Sequence, residues 1–171
     1  MLIATMLLVG SLTHSGGIDL SPLPSPAPTN ARFPSLVAGA DDELYLCWTE
    51  SVEAGSRLCF ARRTPTGWSA PREVAAGAAW FVNWADFPSM AALSDGSLMA
   101  HWLDRLGEGT YAYGVRFALS TDAGASWSGP GWLHEDRAEV GHGFGSLVAL
   151  DEDRFGALWL DGRQNATGGP M

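Results

Sequence analysis

Lysine is absent from this 171-residue chain: all ten basic residues are arginine, against 19 acidic ones, for a formal net charge of −9. Phosphate backbones demand a dense cationic face, so nucleic acid is excluded as a partner class. Cysteine is scarce, with only Cys47 and Cys59, and two thiols without neighbouring histidines supply too few ligands for a zinc centre. Long apolar runs are scarce as well. The best, from Met1 to Leu12, is too short to span a bilayer. Sustained helical periodicity is missing throughout, which disfavours helical repeat architectures. The chain instead has 21 glycines, ten prolines and eight tryptophans, a mixture of turn formers and strand-compatible aromatics that suits many short strands.

Those strands repeat. Phe33-Pro34-Ser35-Leu36-Val37 returns as Phe87-Pro88-Ser89-Met90-Ala91 and as Phe144-Gly145-Ser146-Leu147-Val148. Leu46-Cys47-Trp48 returns as Ala100-His101-Trp102 and Ala157-Leu158-Trp159, in the same register. Gly67-Trp68-Ser69-Ala70-Pro71 is matched by Ser126-Trp127-Ser128-Gly129-Pro130. Self-similarity at roughly 50 residues marks a solenoid, propeller or array. Four short apolar or alternating segments per repeat select a propeller blade. The expected fold is all-β: blades of four antiparallel strands, the first over about 31–78, the second over about 85–134, and the start of a third over about 142–171. Since a closed propeller needs at least four blades, these two and a half read as the N-terminal piece of a longer one.

Residues 1–30 are expected to lie outside the blades. The apolar start matches a signal-peptide core, although it lacks the usual basic n-region, and Pro22 to Pro28 reads as a linker. This places the protein in a secreted or periplasmic setting, with a strand-forming tail as the alternative. Cys47 and Cys59 fall on consecutive strands whose pairing centres on Glu53. Directly opposite positions could meet disulfide geometry; two buried thiols are the other outcome.

Ser120-Thr121-Asp122-Ala123-Gly124-Ala125-Ser126-Trp127 reads S-x-D-x-G-x-x-W. Asp122 can accept backbone N–H groups of its own turn, Gly124 can take a positive φ, and Trp127 can lie over the turn. In an antiparallel blade this turn sits on the face opposite the start of the inner strand, which makes Ser120, Asp122, Gly124 and Trp127 structural. The other face collects Arg32, Glu50, Trp84, Asp86, Asp104, Arg105 and Arg163. Carboxylates, guanidiniums and indoles on one rim suit a sugar site, while a solvated loop rim is the plain alternative.

The eight-residue turn resembles the Asp-box, or BNR repeat, of the sialidase (neuraminidase) superfamily. Ala31-Arg32-Phe33-Pro34 is similar to the motif that opens the first sialidase blade. The resemblance implies a six-bladed propeller and an exo-sialidase-type glycoside hydrolase. In it Arg32 would grip a substrate carboxylate and Asp86 or Glu50 would serve as the acid. Trp84, Asp104, Arg105 and Arg163 would complete a substrate-binding rim for an anionic sugar of a glycan. Trp48-Thr49-Glu50 departs from the family's tyrosine-aspartate sequence, and neither Tyr45, Tyr111 nor Tyr113 is placed as the nucleophile. A non-catalytic propeller binding glycans or protein partners is the second expectation. No cofactor, no metal and no membrane span are implied, and His134 with His142 is expected to line a loop.

Overall fold

The computed structural model describes residues 7–12 and 18–167. β1 (Leu7–Leu12) and β2 (Ile18–Leu23) form an antiparallel hairpin of their own. β3 (Ala31–Ala38), β4 (Leu44–Val52) and β5 (Gly55–Thr64) make the body of a first sheet. β6 (Gly67–Trp68) and β7 (Arg72–Gly77) both add to β5. The second sheet runs in order β8 (Ser89–Ala92), β9 (Leu98–Arg105), β10 (Tyr113–Ser120) and β11 (Gly131–Trp132). β12 (His142–Ala149) and β13 (Phe155–Asp161) form a third, two-stranded sheet, and a 3-10 helix (Gly162–Thr167) follows.

All pairings within the sheets are antiparallel, and the three sheets stack face to face. Central strands buried on both faces must be apolar nearly throughout. β4 reads Leu-Tyr-Leu-Cys-Trp-Thr-Glu and is buried from Tyr45 to Glu50; β9 is buried from Leu98 to Leu103. Val37, Tyr45, Cys47, Leu58 and Phe60 of the first sheet share one core with Met90, Leu98, Trp102 and Ala118 of the second. Phe81, Leu103, Tyr113 and Val115 of the second take Trp159 of the third. A smaller cluster on the far side of the first sheet holds Leu46, Trp48, Cys59 and Ala61, covered by Ala27, Ala31 and Trp68. The proline-rich run read as a linker therefore packs onto the first blade through Ala27.

The register settles the cysteines. Trp48 lies opposite Cys59 and Cys47 opposite Phe60, one residue away from the pairing that Glu53 would centre. A one-residue slip sends a side chain to the other face. Cys47 thus enters the core shared by the first two sheets, Cys59 enters the far cluster, and both are free and buried. Burial pushes each thiol up to about 12.

The Ser120–Trp127 turn is stapled as its residues suggest. The Ser120 hydroxyl donates to Asp122 Oδ1 at 2.8 Å and accepts the Gly124 N–H at 2.9 Å. Ser126 gives Asp122 both its amide, at 2.8 Å, and its hydroxyl, at 2.6 Å. These bonds, led by the Ser126 hydroxyl, hold the Asp122 carboxyl at about 2. Trp127 meets Phe60 of the first sheet edge-on at 5.9 Å. Gly124 has a φ of +77°, and a Cβ there would stand 2.2 Å from Phe60 Cζ. The turn is a rivet between the first and second blades.

Candidate functional site

The repeated Phe-Pro-Ser and Phe-Gly-Ser motifs build the region where the inner strands begin. In β3 the register passes from Arg32↔Thr49 to Ser35↔Cys47, so Phe33 and Pro34 oppose a single residue. β12 does the same between Gly143↔Leu160 and Ser146↔Leu158. Each bulge puts its phenylalanine in the left-handed region, Phe33 at φ 54° and Phe144 at φ 53°. That conformation is costly for a bulky residue and collects at functional or strained sites. Phe33 stacks on Phe87, the equivalent residue before β8, with ring centroids 6.2 Å apart and planes 15° apart. Phe87 and Phe144 remain part-exposed.

Phe87 and Phe144 line an open cavity of about 530 Å³ between the three inner strands, together with Leu36, Asp86, Ser89 and Ser146 among others. Asp86 is its one carboxylate, and it is almost wholly buried. The Asp86 Oδ2 accepts the Phe144 N–H at 2.8 Å, bridging the second and third blades and steadying the bulge. Burial raises its carboxyl above the usual range, against the bonds from Phe144, Gly145 and Tyr113.

Glu50 is placed otherwise. It is buried on the far side of the first blade, where Trp48 Nε1 donates to it at 2.7 Å and Arg57 holds it with Nε at 3.0 Å and Nη2 at 2.6 Å. Burial acts to raise its carboxyl, but the Trp48 and Arg57 bonds prevail and lower it. Its lone pairs are committed to a structural ion pair.

The remaining rim residues scatter by role. Arg32 is exposed one residue before Phe33, with its carbonyl accepting the Thr49 hydroxyl. Trp84 is exposed on the link into β8. Asp104 faces Arg116 at 3.5 Å, and its carboxyl is raised by burial against that charge. Arg105 lies over the Phe81 ring at 5.1 Å. Arg163 grips Asp161 through Nε at 2.9 Å and Nη2 at 2.5 Å. Of the expected rim residues only Asp86 lines the cavity, while Asp104, Arg105 and Arg163 are tied to neighbours. Asp122 lies at the other end: it follows the end of β10, whereas Phe87 stands at the end where β8 starts and β10 begins.

His134 and His142 stack at 4.1 Å, and His142 Nε2 lies 3.0 Å from Asp136 Oδ2 and 3.6 Å from Asp161 Oδ1. Among the described residues no group of three His, Cys, Asp or Glu side chains is arranged to hold a metal ion. Nor is any helix there long and apolar enough to cross a membrane. The three phenylalanines were legible in the sequence only as repeat markers. Their approach depends on the bulges, which a linear pattern does not display.

No protein-family model matches the chain, and no curated protein sequence matches it. Among solved structures, the chain is similar to one described as an endo-arabinase from Bacteroides thetaiotaomicron VPI-5482. The TM-score is 0.55 at 15% identity, over 84% of this chain and 57% of that one. The chain thus spans little more than half the length of that enzyme. The likeness shows the fold: an all-β arrangement of antiparallel sheets of the β-propeller kind. It also corrects the sialidase expectation, because the structural match is to an endo-arabinase. The motif Ser120, Asp122, Gly124 and Trp127 encodes a self-stapled turn, which serves wherever a hairpin must be riveted to the next sheet, and does not mark a sialidase here.

Proposed function

We propose that this chain is a glycan-binding propeller module of glycoside-hydrolase-like fold that takes a neutral oligosaccharide across the mouth of the axial cavity. The observation that carries this reading is the stacked Phe33–Phe87 pair, with Phe144 beside it, at a cavity of about 530 Å³. Sugar rings offer apolar C–H faces to aromatic planes, and a few polar groups then fix orientation. Arg32, Trp84 and Ser89 are the candidates for that second task. A neutral sugar fits better than an anionic one, since Arg105 and Arg163 are engaged within the protein and the net charge is −9. The arabinan-type oligosaccharides suggested by the structural neighbour's name belong in the first panel tested. Delivery outside the cytoplasm, expected from the apolar N-terminus, suits such a ligand.

One observation favours a second reading, in which the site also hydrolyses its ligand. Asp86 is a buried carboxyl in the cavity wall, and burial shifts its pKa upward, the direction that favours a general acid. Calorimetric titration with neutral oligosaccharides, followed by product analysis, tests both. Binding without cleavage supports the module; cleavage lost in Asp86→Asn supports the acid. No binding to any neutral oligosaccharide overturns the proposal.

A further inference from the structure

The second blade departs from its neighbours at one place, the edge between its inner and second strands. In the first blade Arg32↔Thr49 gives way to Ser35↔Cys47, and in the third Gly143↔Leu160 gives way to Ser146↔Leu158, with one extra residue on the inner strand each time. In the second, Ser89 pairs with His101 and the next pairing is Trp80 with Asp104. Residues 81–88 thus oppose only Trp102 and Leu103, and six residues are extruded where the other blades extrude one.

The excursion is held at both ends. Before it, the Phe81 N–H donates to the Leu103 carbonyl at 2.9 Å and the Arg105 N–H to the Ala79 carbonyl at 2.8 Å. At its close, Phe87 stacks on Phe33 of the first blade and Asp86 holds Phe144 of the third. Both flanking blades therefore belong to this chain and are in place. Midway along it, Asn83 Oδ1 accepts the Ala85 N–H at 2.9 Å, closing a tight turn around Trp84. Trp84 remains 80% exposed.

The exposed aromatic side chains among the described residues are Trp84, Phe87, Tyr111 and Phe144, and all four stand at the end where the inner strands begin. Phe87 and Phe144 line the cavity, and Trp84 follows on the excursion. Tyr111 lies in the loop between β9 and β10. In the sheet order β10 is two strands out from β8, roughly 10 Å by the usual strand spacing. The sequence neighbours are small or polar, Asn83 and Ala85 beside Trp84, Thr110 beside Tyr111. Isolated aromatic planes of this kind offer stacking without the contiguous apolar area of a protein interface.

We propose that an oligosaccharide leaves the axial mouth across the second blade, with Trp84 and Tyr111 as platforms for its outer units. This rests on the sugar-binding reading of the cavity and adds a requirement for chain length. A short sugar occupies the mouth alone, whereas a longer one also covers the two outer rings with its apolar C–H faces. Holding the indole on a loop pinned at both ends limits the ordering cost of binding.

Calorimetric titration of the full chain with arabino-, xylo- and cello-oligosaccharide ladders, from disaccharide to hexasaccharide, tests this. Affinity is expected to rise with length. Trp84→Ala should weaken hexasaccharide binding about tenfold and leave disaccharide binding unchanged, Tyr111→Ala should act in the same direction, and Trp84→Phe should restore most of the loss. Both side chains are exposed, so the variants keep the wild-type circular dichroism spectrum. Phe87→Ala, by contrast, should weaken every length. Disaccharide and hexasaccharide binding that respond to Phe87→Ala but to neither Trp84→Ala nor Tyr111→Ala overturn the track and leave the sugar reading standing. Absence of binding across all the ladders overturns both.

Discussion

The carboxylate of Asp86 holds the backbone amide of Phe144 at 2.8 Å, across 58 residues of sequence and between two blades. One side chain thereby sets the wall of the axial cavity and stabilises a phenylalanine backbone that would otherwise be unfavourable. Replacing it separates two effects. Asp86→Ala leaves the Phe144 N–H without its partner and should cost about 1–3 kcal/mol. Asp86→Asn keeps an acceptor and should cost less. Thermal unfolding of the two variants, with amide exchange at Phe144 as the local probe, checks the order.

Gly143 stands directly behind that contact. A Cβ there would lie 2.2 Å from Asp86 Oδ2 and 2.5 Å from Tyr113 Cε2. Gly143→Ala should therefore destabilise by about 1–3 kcal/mol through overpacking. Gly129→Ala is the control, because nothing lies within 4 Å of its Cβ position. Chemical denaturation of the pair measures the difference.

The acid side of the stability profile has two carboxylates of opposite sign. Asp122 is held at about 2 in the folded state, below its ordinary value of 3.8. It contributes stability that is full above the unfolded value and is lost as pH falls from about 4 toward 2. Asp86 is raised by burial, so the folded state binds its proton more tightly, and its contribution falls as pH rises through its folded pKa. Asp122→Asn should flatten the loss of melting temperature below pH 4. Asp86→Asn should flatten the loss on the rising side. Melting temperature against pH for the wild type and both variants is the measurement.

Blade type and strand order were legible in the sequence because they rest on periodicity, which is a local property. The Phe-Pro-Ser repeat located β3, β8 and β12, and Ser120 to Trp127 encoded their own turn. Registers were less legible. The pairing of Cys59 with Trp48 instead of Cys47 turns on one residue, and spacing arithmetic does not resolve that. The bulges at Phe33 and Phe144 escaped for the same reason. Charged residues were harder still: Glu50 and Arg163 suited a sugar rim by type, yet the fold spends them on Arg57 and Asp161. The turn motif shared with another family encoded a stapled hairpin and was no guide to a family.

With Cys47 and Cys59 on opposite faces of one sheet, the two thiols should stay apart under oxidising conditions. Titration with a thiol reagent should find two free thiols in the denatured, unreduced protein and slow reaction in the native one. A two-proton mass loss within the monomer would contradict this register.

The phenylalanines at the axial mouth carry the proposed sugar binding, and amide chemical-shift mapping during titration with neutral oligosaccharides tests them most directly. Shifts should concentrate on Arg32–Phe33, Trp84–Phe87 and Gly143–Gly145, and Phe87→Ala should weaken binding about tenfold, the equivalent of 1.4 kcal/mol. Binding that leaves those amides unmoved, or that Phe87→Ala leaves intact, would contradict it.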